Sequence, residues 1–270
     1  MPIDVAARVI ANRPLSSDYN VLALAAPAIA AVAAPGQFVM LKPGASADPL
    51  LRRPFSVFEI LRDAHGAVTG LTILSKRIGV STSLLYDARE GQRVDCLGPL
   101  GRPFTIVHPP SEAWMVAGGV GLAPFATLAQ SLRACGVRST LFYGARRGVE
   151  LFYLDFFREL GVELVLTTED GSLGERGRVV APLERRLAAL TPSADVMLYA
   201  CGPDRMLAAT ARTAMRYGRP CEVSVERIMG CGLGGCYSCV VPMRGEDGTY
   251  HHVRSCLAGP VLRGDQIQWD

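Results

Sequence analysis

Four of the eight cysteines in this chain fall in one compact spacing pattern near its carboxyl end. The intervals between them are four, two and sixteen residues, and the residues are Cys231, Cys236, Cys239 and Cys256. Three thiolates on one tight loop and a fourth from a distant segment form the plant-type ligand set of a [2Fe–2S] cluster. Glycines let such a loop wrap closely and point backbone N–H groups at sulfur, and the loop contains Gly230, Gly232, Gly234 and Gly235.

Zinc is the main alternative, held by three of these thiolates together with Cys256 or His252. Structural zinc sites usually combine two short Cys/His pairs, whereas the distal side here offers only Cys256 and the adjacent His251 and His252. The spacing therefore favours iron–sulfur over zinc, and unliganded thiols are a third interpretation. We expect both histidines at the surface of a hairpin. Three isolated cysteines are expected to be small buried apolar side chains, namely Cys96, Cys135 and Cys221.

A glycine-rich turn between a predicted strand at 114–117 and a predicted helix at 124–134 has the features of a phosphate site. Gly119 and Gly121 follow the strand and Pro124 marks the helix start, so that N–H groups at the helix N-terminus would face the turn. The motif departs from the G-x-G-x-x-G fingerprint, because Pro124 occupies the third glycine position. Taken alone, the turn fits either a nucleotide site or a tight strand–helix connection.

A second strand end supports the nucleotide interpretation. Cys201, Gly202 and Pro203 follow a predicted strand at 196–200, at the carboxyl edge where ligands bind in open α/β sheets. A plain buried thiol is the alternative interpretation of Cys201.

The elements that must position these residues divide the chain into three predicted parts. Residues 1–108 carry short segments separated by turn residues and predict an antiparallel β-barrel, with strands at 5–10, 19–24, 37–41, 56–60, 68–74 and 93–97. One helix is expected there at 81–86, with Ser81 or Thr82 as its cap. Residues 109–220 alternate strands and helices, which predicts a doubly wound α/β domain. Residues 221–270 lose this alternation and predict a small cluster module.

The strands and helices of the second part are predicted from its apolar periodicity. The strands are expected at 114–117, 139–143, 163–167 and 196–200, and the helices at 124–134, 151–160, 179–190 and 204–217. The fold class predicted for the chain is therefore α+β and multidomain.

Composition excludes several other classes of protein. The net charge of +3 comes without a basic block, so nucleic-acid binding has no electrostatic support. Eight cysteines in 270 residues are too few for a disulfide scaffold. The longest uncharged apolar stretch, 21–34, is interrupted by Pro27 and is shorter than the roughly 20 residues that a membrane span needs. Without a signal-like start, we expect a cytoplasmic protein in a reducing compartment.

Four motifs resemble the ferredoxin reductase superfamily in their order along the chain. They are Arg53-Pro54-Phe55-Ser56, residues 118–124, residues 143–146 and Cys201-Gly202-Pro203. The cysteine-rich tail is most similar to that of the electron-transfer subunits of bacterial dihydroorotate dehydrogenases. This resemblance covers essentially the full chain. It implies FAD, a [2Fe–2S] cluster and NAD as cofactors.

The resemblance also implies which residues meet each cofactor. Arg53 would pair with the FAD pyrophosphate, and Ser56 would lie near the flavin N5 atom. The full FAD set would be Arg53, Pro54, Phe55, Ser56, Leu74, Ser75, Lys76, Ser81 and Thr82. The NAD set would be Gly119, Gly121, Pro124, Cys201, Gly202 and Pro203, with Cys201 near the nicotinamide. The cluster ligands would be the four cysteines of the tail. Residues 169–172 and Glu226-Arg227 also match family signatures, without an implied role.

The implied function is electron transfer from the FMN of a separate dihydroorotate dehydrogenase subunit, through the cluster and FAD, to NAD⁺ in pyrimidine (UMP) biosynthesis. A catalytic barrel of about 250 residues cannot fit in this chain, so a partner is expected, in a heterotetramer of two copies of each subunit. The same module could instead serve a sulfide, hydrogen, dihydropyrimidine or ferredoxin:NADP enzyme, or a non-redox zinc-bearing protein could have kept the fold. NAD is preferred over NADP on resemblance alone, since the residues themselves leave NADP open: Arg146 and Arg147 could accommodate its extra phosphate.

Overall fold

The computed structural model describes residues 1–44, 49–245 and 247–269. Its first sheet has seven strands, β1 (Ile3–Pro14), β2 (Tyr19–Ala25), β3 (Phe38–Pro43), β4 (Arg53–Ser56), β5 (Ile60–Arg62), β6 (Val68–Lys76) and β7 (Arg93–Leu100). All pairs are antiparallel, and the order across the sheet is β4-β3-β7-β1-β2-β6-β5. Two helices accompany them, α1 (Pro27–Ala30) and α2 (Val80–Tyr86).

The first sheet curls into a half-barrel, and the link between its two end strands explains why. Only residues 57–59 separate β4 from β5, although these strands lie at opposite ends of the sheet. The link is held from both sides, because Val57 N donates to Gln37 O at 3.0 Å and Phe58 N donates to Thr72 O at 2.9 Å. The prediction of one strand at 56–60 is therefore wrong, since the chain changes partner strand within it.

Helix α2 matches the predicted helix, but its cap differs from the prediction. Gly79 is the N-cap, and Thr82 lies in the first turn, where its Oγ1 atom accepts from Gly79 N at 2.9 Å. A side chain inside the helix thus satisfies the N–H group of the residue that begins it.

The strands of the second sheet are β8 (Glu112–Gly118), β9 (Ser139–Ala145), β10 (Glu163–Thr168), β11 (Glu175–Arg176), β12 (Val196–Cys201), β13 (Cys221–Ser224) and β16 (Val261–Arg263). Their order across the sheet is β11-β10-β9-β8-β12-β13-β16. All pairs are parallel except β13–β16. The predicted strands and helices of this part are all present. The helices are α3 (Phe125–Ala134), α4 (Leu154–Glu159), α5 (Val180–Ala188) and α6 (Asp204–Arg216).

Some of the last fifty residues form strands of the second sheet, and the others lie outside it. Strands β13 and β16 belong to the sheet, and the chain between them carries the cysteine loop, the hairpin of β14 (Val240–Arg244) and β15 (Tyr250–Arg254), and α7 (Ser255–Ala258). His251 and His252 are exposed on β15, which confirms the prediction of surface histidines on a hairpin.

Buried side chains join the two sheets into one body. Phe58 and Leu74 of the half-barrel share a core with Leu122, Phe125 and Tyr143 of the α/β part. Two aromatic contacts reinforce this junction, Tyr19 with Phe152 at 5.0 Å and Phe58 with Tyr153 at 4.6 Å between ring centroids. In the three described ranges, no helix is both long enough and apolar enough to cross a membrane.

Candidate functional site

A cleft of about 910 Å³ lies between the half-barrel and the second sheet. This volume is in the range of about 300–1,000 Å³ typical of cofactor sites. The cleft has three walls, formed by β4, by the end of β6 with the start of α2, and by residues 224–229 that follow β13. All nine residues of the predicted FAD set line it, namely Arg53, Pro54, Phe55, Ser56, Leu74, Ser75, Lys76, Ser81 and Thr82.

Arg53 is a permanent cation that the protein leaves available at this cleft. Within the described part of the chain, its guanidinium donates only to the carbonyl groups of Leu51 and Arg52, and no carboxylate there pairs with it. The neighbouring Arg52, in contrast, forms a two-pronged ion pair with Asp4 at 2.9 Å. A forked cation without an acidic partner suits a phosphate group.

Other groups along the cleft also suit a large amphipathic ligand such as a flavin nucleotide. The hydroxyl of Ser75 is buried and has no hydrogen-bond partner among the described residues, although a buried hydroxyl normally has one. Large apolar side chains at the cleft are exposed to water, with Leu50, Ile78 and Ile228 at 75%, 80% and 84% of their full accessibility. A bound aromatic ring system would cover this surface. The residues present therefore fit FAD.

The glycine-rich turn and the Cys201 turn interlock at the carboxyl edge of the second sheet. Strand β8 ends at Gly118 and continues into a 3₁₀ turn, Gly119–Leu122, with Gly119 at φ +55°. A Cβ atom on Gly121 would lie 2.2 Å from the carbonyl oxygen of Cys201, and one on Gly202 would lie 3.0 Å from Gly118 N. Pro124 is the N-cap of α3, as the sequence predicts for the helix start.

The predicted NAD residues thus come together at one edge, but they relate differently to the cleft. Cys201 lines it, together with Val120 and Ala123, whereas the other five residues of the set lie outside its lining: Gly119, Gly121, Pro124, Gly202 and Pro203. Burial raises the pKa of the Cys201 thiol, and the nearby Glu226 carboxylate raises it further. Cys201 is therefore a neutral thiol at the junction of the two predicted cofactor sites.

Residues 224–229 form the wall that the sequence did not assign to a site. Glu226 and Arg227 line the cleft, and the Arg227 guanidinium donates to the Asp204 carboxylate at 2.8 and 2.9 Å. Burial, followed by the charge of Asp204, raises the pKa of Glu226. The apolar Ile228 and Met229 line the cleft as well. Their position depends on long-range pairing, because Val225 N donates to Pro260 O at 3.0 Å.

Residues 231–239 form a loop, called here the cysteine loop, that packs against the half-barrel. Cys239 and Cys256 are both 2% exposed and belong to a core with Met40, Leu100 and Met229. Cys236 is exposed and Cys231 is half-buried. Burial raises the pKa of Cys256, and the neighbouring Cys239 thiol and, more weakly, Cys231 raise it further, so thiols from the loop and from α7 are close enough to influence one another. In the part of the chain that the structure describes, no three His, Cys, Asp or Glu side chains are already grouped to hold a metal ion.

The loop has the close backbone and the donors that a thiolate-bound cluster needs. Leu233 N donates to Cys231 Sγ at 3.4 Å, and a Cβ on Gly230 would lie 3.2 Å from Cys236 Sγ. Hydrogen bonds with Ser238, followed by those with Cys231, lower the pKa of Cys236 to about 6. Thiolates are the form that binds metal, so this donor set fits an iron–sulfur cluster.

The three cysteines expected to be buried differ from one another. Cys96 and Cys221 are buried, which confirms the prediction, and burial raises the pKa of each to about 12. Cys135 is only half-buried, less than predicted, because it is the C-cap of α3 and only part of its side chain packs against the core of the α/β part.

The half-barrel, the α/β sheet and the cysteine loop together define a ferredoxin reductase-like flavoprotein with an iron–sulfur domain. Residues 226–268 match the family described as the iron-sulfur cluster binding domain of dihydroorotate dehydrogenase B. Residues 115–212 match the oxidoreductase NAD-binding domain.

Two curated relatives are named dihydroorotate dehydrogenase B (NAD(+)), electron transfer subunit. The one from Desulforamulus reducens is 36% identical and covers 98% of each chain, and the one from Bacillus caldolyticus is 40% identical and covers 86% of each. This chain therefore belongs to the family of dihydroorotate dehydrogenase B electron-transfer subunits.

Solved structures agree with this assignment. The structure of an NADH-dependent reduced ferredoxin-NADP oxidoreductase superposes with a TM-score of 0.84 at 28% identity, covering 98% of this chain and 91% of the other. A ferredoxin NADP⁺ reductase from Neisseria gonorrhoeae with bound FAD and NADP superposes with a TM-score of 0.64 at 18% identity, covering 80% of this chain and 92% of the other. This second likeness concerns the fold alone.

Proposed function

We propose that this chain passes electrons from the FMN of a dihydroorotate dehydrogenase catalytic subunit, through a [2Fe–2S] cluster and FAD, to NAD⁺ in de novo pyrimidine (UMP) biosynthesis. One observation carries the proposal. A single cleft is lined by β4, which carries Arg53, by Cys201 and by residues 224–229, the segment that leads directly into the cysteine loop. Cys201 belongs to the nucleotide edge, as we call the two interlocked turns at Gly119–Leu122 and at 201–203.

Met229 connects two of these regions. It lines the cleft and also packs in the same buried core as Cys239 and Cys256. A flavin in the cleft would therefore lie one side chain away from two of the proposed cluster ligands. Flavins exchange electrons singly or in pairs, so FAD at this place would join one-electron to two-electron chemistry.

The chain's own residues hold and orient the groups between which electrons pass. Arg53 would neutralise the FAD pyrophosphate, and Ser75 would use its unpaired hydroxyl toward the bound flavin. The interlocked turns at Gly121 and Cys201 would present the nicotinamide at the same cleft. The neutral Cys201 thiol adds no charge where hydride transfer takes place.

The partner in this proposal is an FMN-containing catalytic subunit, with two copies of each subunit in a heterotetramer. The surface around Cys236 is where we place its contact, since electron transfer requires short distances. This surface is apolar for an exposed region, with Leu233, Tyr237 and Leu257 at 53%, 62% and 47% exposure. We place the complex in the cytoplasm, and the eight free cysteines of the chain suit a reducing compartment.

The proposal is tested by purifying the chain anaerobically with its native partner and adding dihydroorotate and NAD⁺. We expect NADH to form, with about two irons, two acid-labile sulfides and one FAD in each copy of this chain. NADH that forms only with a different reduced donor would contradict the pyrimidine assignment while leaving the electron-transfer function intact. A colourless protein with stoichiometric zinc would contradict both.

A further inference from the structure

Arg254 is a cation in direct contact with the cysteine loop. Its Nη1 atom donates to Gly234 O at 2.7 Å, inside the segment between Cys231 and Cys236. Its guanidinium carbon lies 4.6 Å from the ring centroid of Tyr237, which directly follows Cys236. Arg254 itself lies two residues before Cys256. The Arg254 side chain thus contacts residues before and after Cys236 in the loop. It does so from the end of β15, the strand that leads to Cys256.

The contacts hold this guanidinium in one place. Tyr237 adopts a left-handed backbone with φ +57°, a conformation that non-glycine residues rarely take. This backbone conformation accompanies the placement of the ring beneath Arg254, although the ring stays 62% exposed. A cation over an aromatic face is attracted by the negative charge of that face, which holds the guanidinium against the ring.

Arg254 has no ion-pair partner among the residues in the ranges 1–44, 49–245 and 247–269. Its side chain is half-buried and donates to a carbonyl group rather than to a carboxylate. An arginine keeps its charge at every physiological pH, so a full positive charge remains beside the loop.

We infer that the positive charge of Arg254 raises the reduction potential of the cluster held by the four cysteines. The inference rests on the proposed function, because it takes these cysteines as the cluster ligands. Reduction adds one electron, and therefore one negative charge, to the site. A fixed cation stabilises that charge more than it stabilises the oxidised form, and net charge and hydrogen bonds near the sulfurs set the potentials of such clusters.

The test is a potentiometric titration of the full chain, followed by the electron paramagnetic resonance signal of the reduced cluster. Arg254→Gln removes the charge but keeps a donor for Gly234 O, and Arg254→Lys keeps the charge. We expect Arg254→Gln to make reduction about tenfold less favourable, a fall of about 59 mV for a one-electron couple. Arg254→Lys should stay near the wild-type potential.

Arg244→Gln is the matched control, because it removes the same charge from the same hairpin. Arg244 pairs with Tyr250 at the opposite end from Arg254, four residues or about 13 Å along the strands. The reduction potential of the cluster in Arg244→Gln should equal that of the wild type. Equal shifts in Arg244→Gln and Arg254→Gln, or no shift in Arg254→Gln, would overturn the inference.

Tyr237→Leu decides the matter if Arg254→Gln does not hold a cluster. This variant removes the ring under the guanidinium without changing the charge, so the side chain can move into water and the potential should fall. An unchanged potential in Tyr237→Leu would then reject the role of Arg254. If the wild-type chain gives no [2Fe–2S] signal at all, the proposed function fails instead, which separates the two results.

Discussion

A methyl group on Gly121 would lie 2.2 Å from the carbonyl oxygen of Cys201, so the two turns that form the nucleotide edge have no space for a side chain between them. Strands β8 and β12 are adjacent and parallel, which brings their carboxyl ends to this contact. Because the glycine-rich turn and the Cys201 turn pack so closely, a change in one of them must displace the other.

Gly121→Ala should therefore separate the turns and impair the NAD reaction more than FAD binding. We expect a fall of tenfold or more in kcat/KM for NAD⁺, about 1.4 kcal/mol or more, with bound FAD retained. Gly66→Ala is the control for a glycine substitution in open space, because φ is +83° there and nothing lies within 4 Å of the added Cβ. The Gly66→Ala variant should lose stability but keep the wild-type kcat/KM for NAD⁺. Equal kinetics in the two variants would show that the contact does not shape the nucleotide edge.

Arg53 and Arg52 are adjacent in sequence and provide a matched pair. Arg53→Ala removes a cation that lines the cleft and has no carboxylate partner among the described residues, and Arg52→Ala removes a neighbouring cation that lies outside the cleft lining and is paired with Asp4. We expect Arg53→Ala to weaken FAD binding by about 10–100-fold, because a charge-assisted bond contributes about 1.5–3 kcal/mol. Arg52→Ala should bind FAD as the wild type does. Fluorescence titration of the apoprotein with FAD measures both affinities, and similar losses in the two variants would argue against a pyrophosphate contact at Arg53.

Cys236→Ser tests whether the cysteine loop and the cleft hold separate groups. Loss of one thiolate ligand should abolish the visible iron–sulfur spectrum, while FAD stays bound, because Cys236 is exposed and does not line the cleft. Cys135→Ser at the end of α3 should keep both chromophores. Absorption spectra with iron and sulfide analysis distinguish the outcomes. Loss of FAD with an intact cluster would contradict the assignment of sites to parts of the chain.

Much of this arrangement follows from local sequence. The alternation of strands and helices after residue 109 and the cysteine spacing are local signals, and both lead to the observed elements and to the iron–sulfur family match. The single strand predicted at 56–60 is wrong, because an apolar run in a sequence looks the same whether or not the chain changes its partner strand within that run. The wall at 224–229 could not be predicted, since the pairing of Val225 with Pro260 joins segments 35 residues apart.

Glu150 bears on the choice between NAD and NADP. The order β10-β9-β8-β12 places Cys201 on one side of the glycine-rich turn, so the adenosine half of the nucleotide should extend toward β9 and β10. Arg147 follows β9 and is paired with Glu150 at 3.0 Å, which reduces its availability for a phosphate. Glu150→Ala should release Arg147 and raise kcat/KM for NADP⁺ severalfold relative to NAD⁺. Because the pair is exposed, the effect should shrink at high salt. An unchanged ratio in steady-state assays at low salt would place the 2′-phosphate elsewhere.

Glu59 provides a prediction about pH and stability. It lies in the link between β4 and β5, and burial raises its pKa above the ordinary value of 4.5, although the charge of Arg13 and a hydrogen bond with Thr72 act in the opposite direction. The folded state therefore holds the proton more tightly than the unfolded state. Stability contributed by this proton is present below pH 4.5 and is lost as the pH rises through the folded-state pKa.

Glu59→Gln should accordingly raise the melting temperature at pH 7.5 and flatten its dependence on pH between 4.5 and neutrality. The amide keeps the shape and the acceptor for Thr72 without a charge to desolvate, although it also loses the attraction to Arg13. Differential scanning calorimetry of the FAD-bound chain at several pH values measures both effects. Glu90→Gln is the control for loss of a carboxylate, since Glu90 is exposed in the turn before β7, and it should leave the melting temperature at pH 7.5 near that of the wild type. A Glu59→Gln variant that melts lower at pH 7.5 would show that the attraction to Arg13 outweighs the cost of burying the carboxylate.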